Sequence, residues 1–526
     1  MRAGTIGRTG LVLAVAALTL GAAGCLAGET RPPETAQPVT PAPTPPPAAS
    51  PAATATATPT TPATPEATPT AAASPASREP LDEEGVAELL RRAVCWYDDP
   101  GRAVNCVPPT EGSARAIADL GLSGDPRVVA PLVDMLWLEV GWARWVEEAL
   151  ETLTGQRLPD ARSWSVWVAR ESPPLPEAYQ EWKGRLLSIV DPRFATALSR
   201  GRAHEPRIEE LLWTSVRLGG LPPLEEPATV HRVEERYLEG DDVVFGLQLG
   251  GESRAYPERI VAWHGAVHDQ VGGRSVMLLH CLPCGSAAAF ETEVAGRERR
   301  LVASGLVYRS RMLFADEESG SLWDPVSGRA LTGPAYEAGE RLIPLPLRRA
   351  TWEAWSEAHA ATRVLSLETG FLRDYDPRAA LEADDASEEP LYPAEPVDGR
   401  LPPKERVLGI ETTAGGSRAA HALPLAGAEE AGIATLSVGG ASLVLLSRGP
   451  GSGVAAYHAP PEPIERLVMT DALGLLAVDS EEQRWFVSEE GLVSTLDGAR
   501  LASVPTRTAY WFAWAAAMPE SGLSGD

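Results

Sequence analysis

The chain has 526 residues, room for roughly two to four domains, and 44% of them are hydrophobic, as in a folded protein with a sizeable core. Acidic side chains outnumber basic ones by 72 to 46, for a formal charge of -26. That excess opposes binding to nucleic acid or to an anionic membrane face, because both require a basic surface.

The N-terminus reads as an export address. Arg2 and Arg8 precede an apolar run from Leu11 to Ala23, which has signal-peptide length and is too short for a lasting bilayer span. Ala22-Ala23-Gly24-Cys25 then resembles a lipobox, with Ala22 where leucine is usual. Residues 1–24 are therefore expected to be a signal peptide, and Cys25 the lipidated first residue of an exported, lipid-anchored protein facing outside the cytoplasm. From Glu29 to about Ser77 the chain is nearly all Pro, Ala, Thr and Ser. Such a composition buries too little surface to offset chain entropy, so residues 25–79 read as a disordered tether. Fully extended at about 3.1 Å per residue, it would reach on the order of 150 Å.

Residues 80–222 carry a helical pattern. Asp125-Pro126-Arg127, Asp191-Pro192-Arg193 and Glu205-Pro206-Arg207 each place an acidic residue and a proline before an amphipathic run, as at a helix start. With Ser113 to Leu120 and Val140 to Leu153, these segments resemble short repeats of the HEAT type, a platform suited to a protein partner. The tryptophans here, among them Trp137, Trp142, Trp145, Trp164 and Trp167, read as core. Cys95 and Cys106 are expected to pair in an exported protein, a bridge worth roughly 3 kcal/mol in the chain-entropy model.

From about Arg232 the pattern turns to short alternating strands, as in Val243 to Leu249, Arg274 to His280 and Leu301 to Tyr308. The region reads as occurring twice. Val244-Phe-Gly-Leu is echoed by Val407-Leu-Gly-Ile, Ser275 to Phe290 aligns without a gap on Ser442 to Tyr457, and Trp352-Glu-Ala-Trp355 matches Trp511-Phe-Ala-Trp514. A first unit over 230–385, an acidic and proline-rich linker over 386–403, and a second, degenerate unit over 404–519 follow. The fold class expected is multidomain α+β: a HEAT-like helical module, then a duplicated, β-rich region.

Function is expected at His280-Cys281-Leu-Pro-Cys284-Gly, which reads as strand, cysteine turn, strand. In the second unit Pro450 keeps the turn, while Ser447, Arg448 and Gly451 stand where the first has His280, Cys281 and Cys284. The turn therefore does not need a disulfide to form. Three readings compete. His280, Cys281 and Cys284 with His264 or His268 are donor types that suit copper or zinc. A Cys-x-x-Cys pair is also a thiol-disulfide couple, although the strand-into-helix setting of thioredoxins is missing. The third reading is a structural disulfide or buried thiols.

Other constellations are weaker. Asp316-Glu317-Glu318 and the pair Asp374 and Asp376 read as solvated turns, and Gly449-Pro-Gly-Ser-Gly453 as a turn without the Lys-Ser/Thr of a phosphate loop. No Gly-x-Ser-x-Gly, His-Glu-x-x-His or Walker sequence is present. His204, His231, His359, His421 and His458 read as surface or core residues.

In order along the chain, Arg254-Ala-Tyr-Pro, His264, Val271-Gly-Gly, Cys281 to Ala287, Ser304-Gly-Leu-Val-Tyr308, Ser321-Leu-Trp323, Gly333-Pro334 and Thr369-Gly370 resemble the prokaryotic family called domain of unknown function 3179. The resemblance covers roughly residues 230 to 519. The family usually has Cys-Pro-Leu-Cys where this chain has Cys281-Leu-Pro-Cys284, and Asn-Asp where it has His268-Asp269. It implies a domain and no reaction. An extracytoplasmic binding protein with a metal site leads; a thiol-disulfide oxidoreductase and a structural envelope protein are the alternatives.

Overall fold

The structure is a computed structural model that describes residues 81–94, 110–138, 141–376, 378–414, 416–470 and 474–524. Cys25, Cys95, Cys106 and the segments expected to be a signal peptide and a tether lie outside the described residues.

Seven helices come first among the described residues: α1 (Glu83–Ala93), α2 (Glu111–Leu122), α3 (Val129–Leu136), α4 (Ala143–Thr154), α5 (Ala161–Glu171), α6 (Tyr179–Leu187) and α7 (Arg193–Ala197). Three of the starts follow from side-chain caps: Asp82, Thr110 and Asp160 accept from Gly85, Ser113 and Ser163 N–H groups. Val86, Leu90, Ile117, Leu120, Val146, Leu150, Trp142 and Trp164 face one shared core. One ionic group is sealed inside. Lys183 Nζ lies 2.7 Å from Asp134, and the Tyr179 hydroxyl donates to the same carboxylate at 2.6 Å. Burial raises the Asp134 carboxyl to about 6, with Lys183 and Tyr179 opposing.

The third acidic-proline start departs from expectation. Residues Ile208–Glu210 make one tight turn, and Leu211–Trp213 (β1) form a strand rather than a helix. Tertiary pairing decides this, because β1 runs antiparallel to Leu301–Tyr308, with Leu212 opposite Val307.

The first β-rich half begins with a hairpin, β2 (Val243–Leu249) and β3 (Glu252–Pro257), followed by the short helix α8 (Glu258–Val261). A meander of β4 (Ala266–Val271), β5 (Arg274–Cys281) and β6 (Ser286–Glu291) comes next, then β7 (Leu301–Tyr308) and β8 (Arg311–Asp316). Later β9 (Arg348–Thr351) leads into α9 (Trp352–Ala358) and β10 (Arg363–Leu365). Their pairing order is β9-β2-β3-β10, with β10 parallel to β3.

The second half repeats the opening hairpin, helix and meander and the closing strand, helix and strand, whereas the first half also has a helix at Gly333–Glu337 between them. The hairpin of the second half is β11 (Arg406–Ala414) and β12 (Ser417–Pro424), followed by α10 (Leu425–Ala431) and the meander β13 (Ile433–Val438), β14 (Ala441–Ser447) and β15 (Val454–His458). Near the end β16 (Thr506–Tyr510) leads into α11 (Trp511–Ala517) and β17 (Gly522–Leu523). The pairing order is β16-β11-β12-β17, with β17 parallel to β12. One glycine in each half admits a tryptophan: a Cβ on Gly246 would lie 2.3 Å from Trp355, and one on Gly409 2.1 Å from Trp514. The halves meet where β6 pairs with β16 at Ala287 and Thr508.

The stretch between the halves is not a loose spacer. Leu391 O accepts from Arg162 at 2.8 Å, Glu395 pairs with Arg170, and the Tyr392 ring sits 6.1 Å from Trp137. Asp316 also differs from the solvated turn expected of it. It is buried against Arg299 at 2.8 Å, because that guanidinium spans Asp316 and Glu340. Among the described residues no helix is long and apolar enough to cross a membrane.

Candidate functional site

Strand β5 ends at Cys281, residues Leu282–Cys284 make a single tight turn, and β6 starts at Ser286. Gly285 closes the turn with φ 57°, a left-handed conformation. A Cβ there would also lie 2.6 Å from the Tyr510 ring of the second half. Cys281 and Cys284 form a disulfide and both are fully buried, packed with Val407, Tyr510 and Trp511. The Met312 N–H donates to Cys281 Sγ at 3.3 Å.

The corresponding turn of the second half is held another way. Ser447 and Ser452 hydroxyls lie 3.0 Å apart, and the Glu429 carboxylate accepts from the Gly451 and Gly453 N–H groups at 3.2 and 2.9 Å. Its anchoring is otherwise shared: His280 N–H donates to Gly265 O at 2.7 Å, and Ser447 N–H to Gly432 O at the same distance.

Beside the cysteine turn lies a polar centre built by both halves. Glu258, the first residue of α8, accepts from His280 Nε2 at 3.3 Å through Oε1, while Arg349 of β9 stands 3.9 Å from Oε2. Burial pushes the Glu258 carboxyl up, but the hydrogen bond from His280 and the charges of Arg349 and Arg406 prevail and hold it at about 2. Arg406 of β11 grips Gly285 O and pairs with Asp385 at 2.8 Å, with its guanidinium 4.7 Å from the Tyr510 ring. Lys404 pairs with Asp384 at 2.7 Å. Two buried atoms, His280 Nδ1 and Arg349 Nε, have no hydrogen-bond partner among the described residues.

The histidines expected as ligands stand apart. His264 Nδ1 donates to Pro222 O at 2.7 Å, and its Nε2 accepts from the Tyr375 hydroxyl at 2.8 Å. Burial lowers its pKa to about 4, which keeps the ring neutral in that chain. His268 Nε2 donates to Leu301 O at 3.0 Å. His280 faces Glu258, and Cys281 and Cys284 are spent on each other. Among the described residues no three His, Cys, Asp or Glu side chains gather as a metal-ligand group.

Several residues shared with the family motifs hold the fold. Arg254 and the Tyr256 hydroxyl both donate to Asp269 at 2.9 Å, the Ser304 hydroxyl donates to Leu313 O at 2.6 Å, and Thr369 meets the Tyr375 hydroxyl beside His264. Sequence reading missed Glu258, Arg349 and Arg406. One signal was present for Glu258: the shift that carries Pro257 to Pro424 and His280 to Ser447 carries Glu258 to Leu425, a charge replaced by an apolar residue.

The chain matches the family described as Protein of unknown function (DUF3179) over residues 218–521. No curated protein and no solved structure matches it. Since the match spans more than half of the chain, the protein belongs to that family.

Proposed function

Membership in a family of unknown function brings no reaction with it, and we propose that this protein is an exported, lipid-anchored binding protein. Its recognition centre is the cysteine hairpin with Glu258 and His280. One observation carries the reading. On two halves that open and close with the same order of elements, the first has Glu258, His264, His280, Cys281 and Cys284 where the second has Leu425, Ala431, Ser447, Arg448 and Gly451. A scaffold that folds without these residues keeps them in one half for a role beyond folding. The parallel order of the halves supports an internal duplication with a degenerate second unit. The paired helices α1 to α7 support a HEAT-like module as partner platform, and the Cys25 motif with its tether supports the anchor.

Copper or zinc at Cys281 and Cys284 would need the reduced pair, since a disulfide sulfur is a poor ligand. The thiol-disulfide reading is favoured by the disulfide itself and by a turn that forms without one, while the burial of both sulfurs keeps exchange dependent on local opening. Native mass spectrometry of the full chain, purified without chelator, tests the binding reading. A co-purifying adduct that disappears in Glu258→Leu with His280→Ser supports it, as does a stabilising shift with copper, zinc or small organic acids. A bare mass with no response to any of these overturns it.

A further inference from the structure

Arg349 is the one member of the polar centre whose charge lacks a close partner. Arg406 is engaged by Asp385 and Gly285 O, Lys404 by Asp384, and the nearer contact of Glu258 is His280. Arg349 has only the Glu258 oxygen at 3.9 Å, beyond hydrogen-bond distance, and its buried Nε has no acceptor among the described residues. A buried donor left unmade is costly, and an arginine fork, Nε–H beside Nη–H, fits two oxygens of one anion. His280, whose Nε2 meets the same Glu258 carboxylate, carries a second unsatisfied atom, Nδ1. The Arg349 side chain as a whole is 18% exposed while its Nε is buried, so an anion reaches the fork through local opening at the seam between the halves. Burial and, after it, Arg406 disfavour the Arg349 charge, with Glu258 and Asp385 opposing them, and an incoming anion relieves that penalty.

We propose that Arg349, at the seam between the two halves, binds a small oxyanion, a carboxylate or a phosphate group, through its Nε and Nη donors. The site rests on the binding-protein reading and gives that reading a ligand chemistry. In the second half Thr508 occupies the place in β16 that Arg349 holds in β9, so the fork too belongs to one half.

Calorimetric titration of the full chain with acetate and, separately, with inorganic phosphate tests the site. Saturable heat with one or both is expected, and the stronger of the two identifies a carboxylate or a phosphate ligand. Arg349→Lys, which keeps the charge and loses the fork, should weaken binding roughly tenfold or more. Circular dichroism checks that the variant is folded, and Arg349→Gln serves if the lysine variant is not. Anion binding unchanged in a folded variant overturns the assignment. If zinc or copper binds and neither anion does, the oxyanion site falls while the binding-protein reading stands. If neither metal nor anion binds, both fall.

Discussion

Replacing Glu258 with glutamine tests the electrostatics on which the candidate centre depends. In the folded protein this carboxyl is held at about 2, against an ordinary 4.5, by His280, Arg349 and Arg406 acting against burial. A group whose folded pKa is depressed stabilises the fold above its unfolded pKa and loses that contribution as the pH falls through the folded one. The window here is therefore pH 4.5 down to about 2. The displacement corresponds to at most about 3 kcal/mol, and buried Glu258 escapes most of the screening that discounts exposed pairs. Urea unfolding followed by tryptophan fluorescence, run on wild type and Glu258→Gln at pH 7 and at pH 2.5, reads it. At pH 7 the variant should be less stable by about 2–3 kcal/mol. At pH 2.5 the gap should have largely closed, since most of the wild-type contribution is then gone. A gap of equal size at both pH values would mean that shape and packing, not charge, set the cost. A variant as stable as wild type at pH 7 would refute the electrostatic account.

Other outcomes follow from single contacts. Cys281→Ser with Cys284→Ser should cost about 2 kcal/mol, the chain-entropy value for so short a loop, with the β-rich fold intact by circular dichroism. Loss of that fold would show that the second half is a poor guide to the first. Gly246→Ala and Gly409→Ala should each cost about 3 kcal/mol or more, because the new methyl meets Trp355 or Trp514 at 2.3 or 2.1 Å; near-neutral denaturation midpoints would contradict this packing. His264, lowered by burial to about 4 from 6.5, stabilises the fold above pH 6.5 and loses that contribution as the pH falls to about 4. Wild type should therefore lose up to about 3 kcal/mol across that window, and His264→Gln less; equal acid sensitivity of the two would count against a buried neutral ring. Lys183→Met strips the buried Asp134 of its cation and should cost about 3 kcal/mol in thermal unfolding, a loss absent if the pair were solvated.

Much of the architecture is local and therefore legible in the sequence. Helix starts at Asp125 and Asp191 need only a proline and a carboxylate that accepts from the N–H two residues on, and the hairpin at Cys281 needs only an extended apolar strand and a turn with Pro283 and Gly285. The runs Val243 to Leu249, Arg274 to His280 and Leu301 to Tyr308 likewise read as strands and are strands, because apolar and alternating runs of this length fit a sheet. Tertiary structure alone decided three other matters. Leu211–Trp213 became a strand because the edge of Leu301–Tyr308 was there to pair with it, against an acidic-proline start that reads as helix. Asp316 went inside because the pairing of β7 with β8 set it beside Arg299, a buried partner that also reaches Glu340. The polar centre could not be read from spacing, since Glu258, His280, Arg349 and Arg406 come from four separated segments, and a carboxylate reveals its partners only once the chain has folded around it.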